Sequence, residues 1–303
     1  MEPAPYPSLA DFAATWSDRD PSERAAFALD FGAALPVLPA AVRDRLEEVL
    51  DTVTSLQRAD WLQGGVYVGP RAMPELYRDT LEVARRLEVA LPSVIVSRVG
   101  MAGQGTFGTD SRAFLLLSSF YVKPATRVER RFLVGRQIGH IAAHQVTWIT
   151  LYALIVDANG LRKLGRRALG PTLEVFLAPL SMGLRIALSR WHRVAELTAD
   201  RAGLIACEDL HGARLALLRM ALGTRPDMSP EDYLDHNRSQ REDGPGKWAE
   251  LLADRPWLYK RMQALELFAD SQRYADIMGL TDSGDLMDDE TLKRRTAALL
   301  QVG

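Results

Sequence analysis

The chain has 303 residues, of which 47% are hydrophobic and 25% are charged, and its formal net charge is −2. This composition is typical of a globular protein and excludes wholesale disorder. The nearly balanced charge gives no support for a nucleic-acid-binding face, which would be basic. Cys207 is the single cysteine, which excludes an intrachain disulfide and a cysteine-based zinc site. Any zinc site must therefore draw on the five histidines and on carboxylates.

Residues 1–70 are predicted to form a helical extension of the domain that follows, because the run 40–56 repeats its aliphatic residues at helical spacing. The first residues carry acids and no basic-then-apolar pattern, so we predict no signal peptide. The longest apolar stretches, 146–156 and 171–184, are too short or too interrupted for a spanning helix of about 20 apolar residues. We therefore expect a cytoplasmic protein without a transmembrane segment. Contact of residues 146–184 with a membrane surface stays open.

The centre of the chain mixes helical and strand patterns. The run 73–89 predicts an amphipathic helix, and the β-branched run Ser93–Val99 predicts a strand. A second strand is predicted over Ala113–Val122, and a long helix follows over 126–156. Further helices follow, up to about residue 278. The sequence therefore predicts a helix-rich α+β fold with a small sheet and an acidic C-terminal tail over 281–303.

The connection between the two predicted strands contains a G-x-G-x-x-G pattern at Gly103, Gly105 and Gly108. A dinucleotide site needs this pattern between a strand and a helix, so that the phosphate meets the N-terminus of the helix. Here it lies between two predicted strands. We therefore interpret the glycines as turn residues of a hairpin.

The long central helix carries Arg136, His140 and His144 at positions i, i+4 and i+8, which share roughly one helix face. A second helix downstream carries Glu196 and Asp200 one turn apart. A zincin places His-Glu-x-x-His on a helix, with two imidazoles to hold zinc and a glutamate to activate the bound water.

These residues, with their order and spacing, resemble the HtpX/CAAX-prenyl-protease group of gluzincin metallopeptidases, peptidase family M48. The resemblance extends from about residue 73 to 274: RFLVGRQIGHIAAHQ is similar to the family's L-x-H-E-x-G-H-I helix, and AELTADRAGLIA is similar to its E-x-x-x-D helix. The closing segment DRPWLYKRMQALELF is similar to H-P-x-x-x-x-R-I. The resemblance implies a zincin-like domain over 71–280 with a small mixed sheet.

The departures from the family pattern concern its chemistry. Arg136 stands where the family has its first zinc histidine, and a protonated guanidinium has no lone pair for a cation. Gln137 stands where the family has its catalytic glutamate, and a neutral amide cannot act as a general base. Arg255 replaces the histidine of the closing segment. Of the family's working set, only His140, Glu196 and Asp200 stand at matching positions.

We therefore expect a catalytically inactive pseudopeptidase with no cofactor, in which Arg136 pairs with Glu196 and fills the place of zinc. An alternative is an active hydrolase with a displaced metal site, formed by His140, His144 and Glu196 or Asp200, since the two histidines retain i, i+4 spacing. Zinc would be the cofactor only under this alternative.

The expected role of a pseudopeptidase is to bind a protein or peptide partner, in regulation or scaffolding, rather than to hydrolyse it. A purely structural assembly protein, joined through the helical extension and without a retained groove, is a further alternative. By resemblance, the strand Ala113–Val122 corresponds to the strand along which such peptidases bind their substrates. It could accept an extended peptide by β-augmentation. The residues of this predicted peptide-binding strand are Phe114, Leu116, Ser118 and Phe120.

Overall fold

The computed structural model describes residues 25–29, 40–98, 104–155, 170, 182–239, 258–280 and 284–300. The helices are α1 (Ala40–Leu62), α2 (Pro74–Arg86), α3 (Ser119–Val122), α4 (Arg127–Ala142), α5 (Val146–Ile155), α6 (Met182–Cys207), α7 (Leu210–Leu222), α8 (Pro230–Ser239), α9 (Leu258–Ala269), α10 (Gln272–Met278) and α11 (Asp289–Leu300). The strands are β1 (Val66–Tyr67), β2 (Ser93–Ser97), β3 (Gly105–Phe107) and β4 (Phe114–Ser118). The helix-rich α+β fold with a small mixed sheet is confirmed.

The four strands form one sheet in the order β1-β2-β4-β3. β2 and β4 are parallel, with Ser93 opposite Phe114, whereas β1 pairs with β2 and β3 pairs with β4 in antiparallel fashion. The glycine-rich connection therefore contains a strand of its own, and the hairpin joins β3 to β4 rather than the two predicted strands. Gly108, with φ +118°, begins its turn.

The strand predicted over Ala113–Val122 is shorter than expected. It ends at Ser118, and Phe120 lies in the short helix α3 with 57% of its surface exposed. Alternate residues of β4 face opposite sides of the sheet, and the whole strand is buried.

Two hydrophobic cores lie on the two faces of the sheet. Val94, Val96, Leu115 and Leu117 belong to a core that includes residues of α2, α4, α7 and α9. The intervening residues Ile95, Phe114 and Leu116 belong to a second core with residues of α1 and α5. The predicted N-terminal extension is therefore part of the sheet's packing, because α1 covers a face that would otherwise be exposed apolar surface.

The close approach of α4 and α6 depends on small residues. A Cβ at Gly139 would lie 2.3 Å from Cβ of Ala202, and a Cβ at Gly135 would lie 2.4 Å from Cβ of Ala206. Side chains at these positions would force the helices apart. Because Gly135 and Gly139 have no side chains, α4 and α6 approach closely enough for Arg136 to hydrogen-bond to the acids of α6.

The predicted long helix over 126–156 is interrupted. α4 ends at Ala142 and α5 begins at Val146. Between them the backbone amide of Gln145 bonds to the carbonyl of His140, and that of His144 bonds to Ile141, while His144 has φ +50°. This is a Schellman C-cap, which ends the helix in the left-handed conformation.

The predicted acidic tail includes an ordered helix, α11, whose Leu292 and Thr296 are buried. Within the described ranges, no helix combines the length and apolarity needed to cross a membrane.

Candidate functional site

Helix α4 carries the positions singled out by the sequence, and its beginning is defined locally. Thr126 accepts a hydrogen bond from the backbone of Glu129, and the carboxylate of Glu129 accepts one from the backbone of Thr126. This capping box sets the start of the helix. From it, α4 runs through the core, and every residue from Phe132 to Ala142 is buried.

Arg136 bridges the two acids of α6. Its Nη2 donates to Oε2 of Glu196 at 2.6 Å, and its Nε donates to Oδ1 of Asp200 at 2.5 Å. The exposed fractions of the three residues are 3%, 5% and 1%. The predicted contact between Arg136 and Glu196 is present, but it is not bidentate, because the guanidinium divides its donors between two carboxylates.

Arg261 of α9 completes this cluster and was missed by the sequence reasoning. Its Nε and Nη2 donate to the two carboxylate oxygens of Asp200 at 2.8 and 2.7 Å, and Nη2 lies 3.6 Å from Oε2 of Glu196. Burial acts to lower the pKa of Arg261, but the charge and hydrogen bonds of Asp200 outweigh it and raise that pKa. The arginine of the closing H-P-x-x-x-x-R-I segment was the sequence signal that could have identified it. Arg255 and the proline after it lie outside the described residues.

We call Arg136, Glu196, Asp200 and Arg261 the buried quartet. Two guanidinium groups face two carboxylates, so the formal charges balance within the core. Each guanidinium–carboxylate contact is a charge-assisted hydrogen bond in a low-dielectric environment. The arrangement holds α4, α6 and α9 together at one point.

Gln137, at the position of the family's catalytic glutamate, has a structural contact. The hydroxyl of Thr106 on β3 lies 2.9 Å from the backbone oxygen of Gln137 and 3.0 Å from its Oε1. Both residues are buried. Gln137 therefore joins α4 to the end strand of the described sheet. Its neutral amide oxygen accepts a hydrogen bond but cannot take up a proton as a general base does.

His140 is buried, and its Nδ1 lies 2.9 Å from Oε1 of Gln145. Burial lowers the pKa of His140 to about 4, which the nearby carboxylate of Glu196 only partly opposes. The imidazole is therefore neutral at physiological pH. A hydrogen bond to the amide oxygen of Gln145 requires that Nδ1 carries the proton.

His144 does not share a helix face with His140. It lies beyond the end of α4 and adopts the left-handed conformation, so the two histidines do not stand one turn apart on a continuous helix, as the spacing predicted. The apolar pattern continues through the interruption and hides the cap.

The residues present do not fit the zinc site of the resembled family. A guanidinium occupies the position of the first histidine ligand, and Oε2 of Glu196 is already bonded to it. Within the described ranges, no group of three or more His, Cys, Asp or Glu side chains is arranged to hold a metal ion.

The predicted peptide-binding strand is not at an edge of the sheet. β4 pairs with β2 on one side and with β3 on the other, so Phe114 and Leu116 have paired strands on both sides. Ser118 pairs with Ser97, and Phe120 lies in α3. An added strand needs an unpaired edge, so β-augmentation at β4 is excluded along the paired residues, and β3 is the end strand nearest to α4.

Comparisons with known proteins agree with the family resemblance found in the sequence. The family model of peptidase family M48 matches residues 74–269. A plastoglobule-localized metallopeptidase 48 of the chloroplast from Arabidopsis thaliana is 23% identical over 178 residues, which are 57% of this chain and 48% of that protein. The chain thus spans about half the length of this curated relative. No solved structure is significantly similar to this chain.

Proposed function

This chain belongs to peptidase family M48, and we propose that it is a catalytically inactive member whose zinc site has been replaced by the buried quartet. The observation that carries the proposal is the position of Arg136, whose guanidinium bonds to both Glu196 and Asp200. By resemblance, the family's metal site would need the carboxylate of Glu196 and a histidine at position 136 to hold the zinc ion.

The first argument is electrostatic. Glu196 and Asp200 are almost completely buried, and two carboxylates in a low-dielectric core need positive charge nearby. Zinc would supply positive charge in an active peptidase. Here Arg136, at the position of the first zinc ligand, supplies positive charge to both carboxylates, and Arg261, which matches the arginine of the family's closing segment, adds a second guanidinium, with hydrogen-bond distances of 2.5 to 2.8 Å.

The second argument concerns proton transfer. A zinc peptidase needs a base within hydrogen-bonding reach of the attacking water. Gln137 stands at that position, and its amide oxygen lies beside the hydroxyl of Thr106. Loss of the metal ligand and loss of the base are two independent departures, and both favour loss of hydrolysis over a change of metal.

The decisive experiment measures metal content and hydrolysis on the purified full-length chain. After incubation with zinc and dialysis, we expect the wild-type protein to contain almost no zinc by elemental analysis. We also expect no chelator-sensitive cleavage of casein or of a mixed peptide library. About one zinc per chain together with chelator-sensitive cleavage would overturn the proposal.

A restored variant tests the replacement directly. Arg136→His with Gln137→Glu recreates the family's ligand and base, and we expect it to retain zinc after dialysis. Gln137→Glu alone is the matched control, because it leaves the guanidinium of Arg136 in place and should take up no zinc. Arg131→His, on the same helix but outside the quartet, controls for adventitious binding by an added histidine.

A partner-binding role and a cytoplasmic location remain proposals of the sequence analysis. The interior position of β4 moves any strand-addition site to the ends of the sheet. We propose that the role is to bind a protein partner rather than to cleave it, and pull-down with a variant of β1, the end strand on the opposite side of the sheet from β3, would test strand addition there.

A further inference from the structure

Helix α5 lies between two elements that carry residues of the site. It packs against both β3 and α6. β3 is the strand whose Thr106 contacts Gln137, and α6 carries Glu196, which contacts Arg136. α5 therefore crosses the gap between the two elements that flank the former catalytic positions.

The start of α5 is anchored by the loop after β3. Oδ1 of Asp110 accepts a hydrogen bond from the backbone amide of Val146 at 3.0 Å, and its Oδ2 accepts one from the hydroxyl of Thr147 at 3.3 Å. One turn further, Thr150 accepts a hydrogen bond from the backbone amide of Gly108 at 3.1 Å. Asp110 thus accepts a hydrogen bond from a backbone amide of the first turn of α5, as an N-cap side chain does.

The inner face of α5 reaches the neighbourhood of Glu196. The ring of Tyr152 stacks on His192, with centroids 4.4 Å apart and planes at 23°. His192 is one turn before Glu196 on α6, and its Nε2 lies 3.8 Å from Oε1 of Glu196. Tyr152 and His192 are 4% and 7% exposed. An aromatic side chain of α5 thus covers His192, which lies beside Glu196.

The outer side of α5 is covered as well. Leu151 and Leu154 are buried in the second core, which includes Leu50 and Val53 of α1. α5 is therefore held between α1, β3 and α6. Its departure would expose apolar surface on both helices, which opposes opening.

From these contacts, we propose that α5 is a built-in occupant of the cleft between β3 and α6, and that it closes the former active site to peptides. In this proposal Tyr152 shields His192 and, with it, the approach to Glu196. This inference rests on the proposed function for the identity of the cleft. It deepens that function, because a closed cleft prevents hydrolysis even if metal chemistry is restored.

Chemical modification of histidines by diethyl pyrocarbonate tests the closure on the wild-type full chain. His211 has a side chain that is 60% exposed and serves as the internal reference. We expect His192 to react at least about tenfold more slowly than His211, since reagent access requires α5 to open. Equal modification rates for His192 and His211, measured by mass spectrometry, would overturn the proposal.

A variant of Tyr152 tests whether α5 is the element that limits reagent access to His192. Tyr152→Ala removes the stacked ring, and we expect modification of His192 to accelerate at least about tenfold while that of His211 is unchanged. Tyr121→Ala is the matched control, because Tyr121 is another buried tyrosine but belongs to the opposite core. Acceleration by both variants, or by neither, would contradict the role of α5.

Hydrogen exchange on the wild-type chain keeps the proposal testable if Tyr152→Ala does not fold. We expect the amides of α5 to be protected as strongly as those of α4, and rapid exchange confined to α5 would contradict the proposal. Neither readout depends on zinc. Metal uptake by the wild-type chain would overturn the proposed function, whereas a reactive His192 would overturn only the closure.

Discussion

The two halves of α4 make the same kind of contact in opposite environments. In the first half, Arg127 and Arg130 bind Asp79, and Arg127 also binds Glu82 on α2, where its own side chain is 60% exposed. In the second half, Arg136 binds Glu196 and Asp200 on α6, where its side chain is 3% exposed. The contacts are of the same chemical kind, and the exposure of Arg127 and Arg136 differs most between the two halves.

We call Arg127, Arg130, Asp79 and Glu82 the surface cluster, because the side chains of Arg127 and Glu82 are 60% and 45% exposed, although Asp79 itself is buried. Exposed ion pairs contribute about 0 to 1 kcal/mol, because water solvates the separated charges well. Breaking a buried pair costs much more, because the remaining charge has no comparable partner. A helix with both arrangements allows this difference to be measured within one protein.

The largest effect is expected for Arg136→Met. It leaves Glu196 and Asp200 buried with Arg261 as the remaining guanidinium of the quartet, and we expect a loss of about 3 to 5 kcal/mol in the free energy of unfolding. Chemical denaturation followed by circular dichroism measures it. A loss below 1 kcal/mol would show that the buried quartet is solvated or rearranges freely.

The next effect depends on pH and concerns His140. Burial lowers its folded-state pKa from 6.5 to about 4, so between these values the unfolded chain binds a proton that the folded protein does not. Stability is fully present above pH 6.5 and is lost as the pH falls toward 4, by about 3 kcal/mol.

The comparison of wild type with His140→Gln isolates the contribution of His140 to the pH dependence of stability. We expect the variant to lose less stability than the wild type between pH 7 and 4. His211→Gln is the control, because the exposed His211 side chain lies outside the buried region. Parallel stability curves for the wild type and His140→Gln would show that His140 is hydrated in solution.

A smaller effect is expected when both members of one buried pair are removed. Arg136→Met with Glu196→Met removes a cation and an anion together and leaves Arg261 bonded to Asp200 at 2.7 and 2.8 Å. We expect this double variant to be about 2 kcal/mol more stable than Arg136→Met alone. The double-mutant cycle measures the coupling, and additive losses would argue against a direct pair.

The smallest effect is expected in the surface cluster. Arg127→Met removes the contacts with Glu82 at 3.0 and 3.2 Å, yet Arg130 still binds Asp79 at 2.8 Å. We expect a loss below about 1 kcal/mol that shrinks further at high salt. A loss as large as that of Arg136→Met would remove the contrast between the two halves of α4.

Local pattern was sufficient for the helices α1 and α2 and for the strand β2, because each has an uninterrupted periodicity. It failed for α4 and α5, since the Schellman cap uses His144 rather than glycine, and the apolar residues continue across it. It also failed for β4, whose interior position depends on pairing with β3. A short strand such as Gly105–Phe107 has too few residues to show a period.

The site divides in the same way. The family resemblance placed Arg136, Gln137, His140, Glu196 and Asp200 at the positions of the family's working set, and the charges of Arg136 and Glu196 predicted their contact. The closing segment marks Arg261, but nothing in the sequence places it beside Asp200, which is 61 residues away. The second bond of Arg136, to Asp200, depends on the depth at which α4 and α6 pack.

The sequence by itself determined the family, the helix-rich α+β class and the two substitutions that remove a zinc ligand and a base. These follow from residue identity and from spacing within single elements. Only the tertiary structure decided how Arg136 divides its donors, that β4 is interior and that α5 packs against β3 and α6. Such features depend on distances between elements, which small residues such as Gly139 and Ala202 set through packing rather than through any local pattern.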